Sequence, residues 1–325
     1  MIRARLNLLP AVVLCLTMGG CDAETPSSPA ATGTSRATLL TAQRYVDAGQ
    51  FDQADAILVA ARASWPEDPG VHELLARVDF GRGLQLQNVG LMDRGKAALT
   101  EALAHWTRAC ALVPDEALMR VSAGDVAAMI GHTAQARSLY AAALQLDPTA
   151  GRAALCLAQL EMDDDPVYAG ELLQQAMAHA GDVPEVHASL ALLHARNNAP
   201  KAARTAIARA VELGPDLPSI RVMQARIERL LGNPTRAVEV ISALGPNAAG
   251  NRGVAWEAAA CWNAIDRPDR AAEAWVVCFM ANAHQSDAGA LAVNAAQAFE
   301  QSGDFVQAQT WWRQARLLGV EKPTP

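Results

Sequence analysis

Residues 117–150 read ALMRVSAGDVAAMIGHTAQARSLYAAALQLDPTA, and this stretch carries the pattern that decides the fold. In its second half, Ala136 and Ala143 stand seven positions apart, with the bulky Tyr140 between them. Seven residues make about two turns of α-helix, so both alanines lie on one helix face. Gly131 precedes that helix, and glycine is the residue that most readily ends one. The stretch therefore predicts a helix, a turn at the glycine and a second helix.

Pairs of small residues seven apart recur along almost the whole chain. Counted from Ala102, the first member of each pair follows the previous one after 34, 33, 34, 34, 34 and 37 residues. A register held over so many steps indicates a repeated structural unit. The sixth and seventh pairs depart from alanine at their second position. The pairs are Ala54 and Ala61, Ala102 and Ala109, Ala136 and Ala143, Ala169 and Ala176, Ala203 and Ala210, Ala237 and Leu244, Ala271 and Cys278, and Ala308 and Ala315.

Residues around each pair predict where its two helices begin and end. A helix-stopping residue lies five positions before the first small residue, a bulky residue lies four after it, and a proline often lies twelve after it. Each unit is therefore predicted to be a helix, a short turn, a second helix and a proline exit. These residues are Gly49, Gly131, Asn198, Gly232 and Gly303 before the pair, Leu58, Trp106, Tyr140, Ile207, Trp275 and Trp312 within it, and Pro66, Pro114, Pro148 and Pro215 after it.

A second set of prolines lies three positions before the first small residue. The first turn of a helix tolerates proline, because the N–H that proline lacks would be unpaired there anyway. Asp165 and Asn233 stand directly before two of these prolines, so we expect both to cap the helix that follows. The four prolines are Pro166, Pro200, Pro234 and Pro268.

This pattern resembles the tetratricopeptide repeat (TPR). The resemblance implies an all-α fold, a right-handed α-solenoid of about eight helical hairpins over residues 38–318, in which the first helix of each hairpin lines a concave wall. No hairpin of this kind buries its apolar faces alone, so stability comes from stacking. The residues that match the signature best are Gly49, Phe51, Ala54, Leu58, Ala61 and Pro66, and Gly124, Gly131, Ala136, Tyr140, Ala143 and Pro148.

One unit is longer than the others. Ala54 and Ala102 are 48 residues apart, which is 14 more than one repeat of 34. The surplus, at about residues 81–96 (GRGLQLQNVGLMDRGK), falls at the junction between the two helices of the second unit. It predicts either a longer hairpin that protrudes from the stack or an arm that contacts a partner.

The first 20 residues have the features of a secretory signal peptide. Arg3 and Arg5 precede an apolar stretch at 6–18, which is shorter than the ~20 residues that span a bilayer core. The sequence MGGC at 18–21 resembles the lipobox of bacterial lipoproteins, and the resemblance implies a lipid on Cys21 as the mature N-terminus. An ordinary cleaved signal and an uncleaved anchor are the alternatives.

The segment after the lipobox contains little to bury. Residues 21–37 are rich in Pro, Ser, Thr, Gly and Ala, and they predict a flexible tether. A coil of this length would hold the folded part only ~20–25 Å from the lipid. Residues 319–325 are expected to form a C-terminal tail.

Composition excludes several functions. A hydrophobic fraction of 51% predicts a folded body, and a net charge of −7 argues against a nucleic-acid partner. No nucleophile, phosphate-loop or zinc-protease motif is present, so we expect no enzymatic activity and no cofactor or metal.

His187 and His194 share a helix face as a possible metal pair, and three aspartates at 163–165 suggest a cation site; packing, capping and solvation explain them better. Four cysteines are expected to be free and buried, namely Cys110, Cys156, Cys261 and Cys278.

We define the inner wall as the residues that alignment of the units places on the concave face. It is apolar with scattered polar groups, which suits either an extended or helical peptide or packing between neighbouring helices. The Lys and Asn clamp by which some TPR domains hold a C-terminal carboxylate is missing, so recognition of chaperone tails is not expected. The inner wall comprises Leu39, Gln43, Val46, Val121, Asp125, Met129, Leu155, Gln159, Met162, Leu192, Arg196, Val222, Arg226, Arg229, Trp256, Asn263, Val293 and Gln297.

Tryptophans are concentrated near the C-terminus. Trp262, Trp275 and Trp312 fall on core positions of the repeat, whereas Trp256 and Trp311 do not. Exposed tryptophan is a common anchor of protein interfaces.

These features predict a non-catalytic binding protein. The expected function is that of a lipid-anchored adaptor or scaffold, exposed to the periplasm, that mediates protein–protein interactions in a bacterial cell-envelope complex, as TPR lipoproteins similar to the pilus pilotins do. The alternative is a non-catalytic subunit or targeting arm of a separate envelope enzyme. In both cases the partners are a protein or peptide and, through the lipid, a membrane.

Overall fold

The computed structural model describes residues 33–245, 248, 250–283 and 288–321. Within these residues the chain forms sixteen helices and no strand. It divides between Gly181 and Asp182 into two compact units, each of four helical hairpins. The signal peptide, Cys21 and most of the tether lie outside the described residues. The predicted fold class, an all-α array of about eight TPR-like hairpins, is confirmed.

Each of the two units contains eight of these helices. In the first unit they are α1 (Gly33–Asp47), α2 (Phe51–Ser64), α3 (Pro69–Asn88), α4 (Met92–Leu112), α5 (Ala117–Met129), α6 (Thr133–Leu146), α7 (Gly151–Glu161) and α8 (Pro166–His179). In the second unit they are α9 (Pro184–Arg196), α10 (Pro200–Leu213), α11 (Pro218–Leu230), α12 (Pro234–Ser242), α13 (Arg252–Asn263), α14 (Pro268–Asn282), α15 (Ala288–Ser302) and α16 (Phe305–Leu317).

The first helix begins earlier than the sequence suggested. Because α1 starts at Gly33, its first turn takes in the end of the segment expected to be tether. No proline follows Pro29 in this region, so nothing interrupts a helix that leads into the buried Ala42. Composition alone therefore overestimated the length of the tether.

Close contact between the two helices of each hairpin depends on the paired small residues. All of the alanines in these pairs are at most 2% exposed, so any larger side chain there would meet the opposite helix. The bulky residue between them fills the adjoining space; Tyr140, for example, lies over Gly124, where an added Cβ would be 2.7 Å from the Tyr140 ring. The seven-residue spacing of the small residues in the sequence is thus the spacing of the contacts between the two helices.

The turns follow the predicted chemistry in most hairpins. The backbone is left-handed at Gly49, Gly131, Gly232 and Gly303, and also at Asn198, whose φ is 57°. All four prolines of the second set begin a helix. The seventh hairpin turns at Asp266, also with φ of 57°, which the sequence did not single out.

One of the two expected N-caps is wrong. The carboxylate of Asp165 accepts a hydrogen bond from the backbone N–H of Tyr168 at 3.0 Å, as predicted. The Asn233 side chain makes no capping bond; its amide group is turned towards Glu228, where Nδ2 donates to Oε2 at 3.2 Å. A neighbouring carboxylate therefore takes the amide away from the helix end.

The two irregular pairs behave differently from each other. Helix α12 has 9 residues and ends at Ser242, so Leu244 lies in the following turn and not in the helix interface. Cys278, in contrast, occupies the expected interface position and is fully buried.

The surplus residues of the second hairpin lengthen both of its helices equally. Helices α3 and α4 have 20 and 21 residues, against 13 and 14 in α5 and α6. Each helix is therefore seven residues longer, and the small-residue series runs on as Gly95, Ala102 and Ala109. A Cβ on Gly95 would lie 2.9 Å from the Gly83 carbonyl oxygen, so the two backbones meet at these glycines. The surplus residues therefore form a longer hairpin, and contact of this hairpin with a partner stays a prediction.

Replacing Gly95 with alanine should destabilise the first unit. The new Cβ would meet Gln87 Cγ at 2.6 Å and the Gly83 carbonyl at 2.9 Å, and this overlap outweighs the gain in helix propensity. We expect a net loss of about 1–2 kcal/mol, measured by urea unfolding followed by circular dichroism. The exposed neighbouring change Arg94→Ala is the control, and an equal loss from both would contradict the close approach.

Candidate functional site

The inner wall divides into buried and accessible residues. First helices pack on the first helix of the next hairpin as well as on their own partner, as α9 does on α11 and α11 on α13. Side chains that lie between two hairpins are therefore covered. The buried wall residues are Val46, Val121, Asp125, Leu155, Gln159, Met162, Leu192 and Val222. The partly exposed ones are Leu39, Gln43, Met129, Arg226, Arg229 and Val293, and the exposed ones are Arg196, Trp256, Asn263 and Gln297.

The accessible part of the inner wall lies mainly in the second unit. In residues 33–181 most wall residues are buried, while in the second unit only Leu192 and Val222 are. Packing between helices, one of the two interpretations of these positions, accounts for the buried residues. The accessible residues remain predicted contacts for a partner.

Polar residues of the wall in the first unit tie hairpins together. The Arg77 guanidinium in α3 donates to Gln43 Oε1 at 2.7 Å and lies 3.0 Å from Asp47 Oδ1, both in α1. Exposed pairs of this kind contribute about 0–1 kcal/mol each. Gln43 therefore already has a partner within the fold.

Asp125 is a buried cross-link between the third and fourth hairpins. Its carboxylate accepts hydrogen bonds from the Tyr140 hydroxyl at 2.8 Å and from Arg152 Nη2 at 2.6 Å, and the Cys156 thiol lies 3.8 Å away. Burial raises the pKa of Asp125, while the Arg152 charge opposes that rise. Since removal of one partner leaves a buried charge uncompensated, this group serves packing rather than recognition.

Two wall arginines converge on a carboxylate that the sequence did not single out. Glu257 in α13 is fully buried, and it accepts hydrogen bonds from Arg226 Nε at 3.0 Å and from Arg229 Nε at 2.8 Å. Both arginines belong to α11, in the preceding hairpin. The pair is therefore held in a defined orientation at the edge of the inner wall.

The tryptophans of the second unit fall into three environments. Trp256 is 51% exposed and its ring stands edge-on to that of Trp275 at 5.4 Å. Trp275 and Trp312 are buried as predicted, but Trp262 is only partly buried, because it lies where two apolar clusters meet. Trp311 is partly buried against Phe279, with ring centroids 5.0 Å apart. Trp256 is thus the exposed tryptophan of the inner wall.

A chain of titratable groups crosses the long hairpin. His72 Nε2 lies 2.9 Å from the Pro66 carbonyl oxygen and must donate to it, because a carbonyl only accepts. His72 Nδ1 lies 3.2 Å from His105 Nδ1, and His105 Nε2 lies 3.9 Å from Asp79 Oδ2. Burial lowers the pKa of His105, and burial raises the pKa of Asp79 to about 6. These groups lie between helices α3 and α4, where burial disfavours the charged forms of His105 and Asp79.

The Asp79→Asn variant should be more stable than the original chain at neutral pH but not at pH 4. A carboxyl whose folded pKa exceeds its unfolded value binds more protons when folded, so stability falls as pH rises from about 4 to 6, and the penalty is complete above 6. We expect the gain from asparagine to grow from near zero to ~1–2 kcal/mol across this window. Urea unfolding at pH 4 and 7.5 measures it.

The matched control is a variant that should change the folding stability in the opposite direction. Hydrogen bonds from Thr149 lower the pKa of Asp147, which follows α6 in the same unit. Asp147→Asn should therefore cost stability above the unfolded pKa and cost less as pH falls. A gain for Asp79→Asn that is the same at both pH values would contradict the burial of this carboxyl.

Three of the candidate metal ligands make other contacts. His187 Nε2 lies 2.6 Å from Asp182 Oδ1, Asp164 pairs with Arg137, and Asp165 caps α8. Within the described ranges no group of three His, Cys, Asp or Glu side chains is arranged to hold a metal ion. No helix in the described part of the chain is both long and apolar enough to cross a membrane.

Among the described residues, Cys110, Cys156, Cys261 and Cys278 form no disulfide. Cys156, Cys261 and Cys278 are buried as predicted. The expectation was wrong for Cys110, which is half-buried because it lies near the end of α4, beside the exposed turn that leads to α5.

Sequence reasoning placed Asp125 on the inner wall but missed its arginine partner, and it missed Glu257 altogether, yet a signal for both pairings exists. Asp125 and Arg152 are 27 residues apart, and Glu257 lies 28 and 31 residues from its two arginines. Opposite charges separated by about one repeat length face each other across neighbouring hairpins. A search for such separations in first helices would have found both clusters.

Comparison with solved structures supports the same architecture. A TPR protein from Parabacteroides merdae ATCC 43184 is 17% identical, with a TM-score of 0.62 over 81% of this chain and 99% of that one. PilW, a widely conserved type IV pilus biogenesis factor, is 18% identical, with a TM-score of 0.53 over 69% and 98%. PilF from Pseudomonas aeruginosa is 17% identical, with a TM-score of 0.53 over 68% and 94%. At these identities the likeness is one of fold alone.

Sequence comparison identifies the family. No curated protein matches the chain significantly. The sequence matches the tetratricopeptide repeat family over residues 39–85, 80–151 and 188–252, which together make up more than half of the chain. Within these ranges lie the left-handed turn residues Gly49, Gly131, Asn198 and Gly232 and the alanine pairs that begin at Ala54, Ala102, Ala136 and Ala203. The chain therefore belongs to the tetratricopeptide repeat family.

Proposed function

We propose that this chain is a lipid-anchored TPR adaptor that holds a protein partner at a bacterial envelope membrane, in the periplasm, and carries out no chemistry itself. TPR proteins act as scaffolds for protein–protein interaction, and membership of the family supports that part of the proposal. The lipobox-like MGGC at 18–21 and the apolar stretch before it support the anchor.

The accessible inner wall of the second unit is the main support for partner binding. The observation that carries it is Trp256, which lies on the inner wall with its side chain half exposed. An exposed tryptophan with a fixed ring contributes a large apolar contact at little cost in side-chain entropy. The likeness to PilW concerns the fold and does not specify the complex that this adaptor would join.

A photo-reactive phenylalanine at position 256 should capture the partner in intact cells. Met280 is the control position, because it is 70% exposed and belongs to α14, the second helix of the same hairpin, away from the inner wall. Leu91, at the tip of the long hairpin, tests whether that hairpin also contacts the partner. We expect a discrete cross-linked product from position 256 and none from 280. Capture from 280 but from neither 256 nor 91 would refute the proposed surface.

Substituting the lipobox cysteine should release the protein from the membrane. Cys21→Ser removes the thioether site, so metabolically labelled palmitate should no longer enter the protein and it should leave the membrane pellet. Cys15→Ser, within the apolar stretch, is the matched control and should remain labelled. Membrane association that survives Cys21→Ser would argue for an uncleaved anchor instead.

A further inference from the structure

The cluster around Glu257 carries more positive charge than its own neutralisation requires. Glu257 is fully buried, and a buried carboxylate needs one paired cation with good hydrogen bonds. Two arginines meet it, Arg226 and Arg229, each through Nε. The cluster therefore keeps one unit of positive charge in a chain whose net charge is −7.

Neighbouring groups do not cancel this charge. The acidic residue of α11, Glu228, accepts a hydrogen bond from Asn233 and lies 3.9 Å from Arg204. The Cys261 thiol lies 3.8 Å from Glu257 Oε1, and burial raises its pKa to about 12, so it stays neutral. The positive charge belongs to the arginine pair.

The arginine pair is oriented before any ligand arrives. A guanidinium held through its Nε retains N–H donors on its Nη atoms, and these donors match a carboxylate in a planar fork. The side chains of Arg226 and Arg229 remain 21% and 28% exposed, while that of Glu257 is 1% exposed. Because Glu257 restricts both arginines, binding a second carboxylate costs little further side-chain entropy.

The helix that carries Glu257 also carries an accessible aromatic side chain. Trp256 directly precedes Glu257 in α13, and its half-exposed ring is fixed edge-on to Trp275. The inner wall of the second unit thus presents two guanidinium groups and one accessible aromatic ring.

We propose that Arg226 and Arg229, braced by the buried Glu257, bind an acidic side chain within a peptide segment of the partner, with Trp256 taking a neighbouring apolar side chain. This inference rests on the proposed function and names the chemistry of its partner. The net negative charge of the rest of the chain would repel an acidic peptide elsewhere, so the local positive charge also selects where it docks.

The test selects random dodecapeptides, displayed on phage, on the full chain. The same selection is run on the triple variant Arg226→Gln, Arg229→Gln, Glu257→Gln, which removes the arginines without leaving a buried unpaired charge. Arg221→Gln, on the same helix, is the control, since it changes the net charge by the same −1 and Arg221 bonds only Pro215 and Gln224 among the described residues. Helix content and thermal midpoint are measured for each protein.

We expect peptides enriched in Asp or Glu beside an aromatic or aliphatic residue on the original chain and on Arg221→Gln. A selected peptide should bind the triple variant roughly ten-fold more weakly, as loss of charge-assisted hydrogen bonds implies. Should the triple variant lose helix content, the variant Arg226→Lys, Arg229→Lys takes its place: it keeps both charges over Glu257 but loses the planar donors, and it should also bind more weakly.

Two other results overturn the inference. If peptides are selected but lack acidic residues, or bind the arginine variants as tightly as the original chain, the acidic-peptide site is wrong while the adaptor function stands. If no peptide is selected on any of the proteins, both fail.

Discussion

Contact between helix backbones at small side chains is the constraint on which this protein depends. The paired alanines leave almost no space between the two helices of a hairpin. A hairpin so thin has too little interior to bury its bulky residues, and Leu58, for example, packs in one apolar cluster with Val71 and Leu75 of the next hairpin. Each hairpin is consequently stable through its neighbours, and local defects such as the short α12 are tolerated because adjacent contacts are unaffected.

Most of the fold could be predicted because its determinants are local. A glycine, a proline and two alanines within one repeat specify where two helices begin, turn and touch, and these marks lie close together in the sequence. The errors arose where a residue responds to something farther away. Asn233 lost its capping role to a neighbouring carboxylate, and Leu244 left the helix because α12 ended before it.

The candidate site was predictable only in outline. Alignment of the repeats places Asp125 and Trp256 on the same wall, but one is buried beneath Arg152 and the other is half exposed. Whether a wall residue is buried or exposed depends on the side chains about one repeat away. A periodic pattern cannot predict this, because it assigns the same position in every repeat the same environment. Asp125 and Glu257 mark this limit. Each links consecutive hairpins through arginine, so charge as well as apolar packing sets which faces meet.

The equal lengthening of α3 and α4 has a consequence for how the chain can vary. Because seven residues return a helix nearly to the same face, the addition leaves Ala102 and Ala109 in their ordinary places while it carries the turn at Gly90 farther out. An unequal addition would rotate one helix against the other and bring large side chains into the seam. The second hairpin can therefore change in length by seven residues per helix while its two helices keep the same packing faces. The contacts of the neighbouring hairpins are then unchanged.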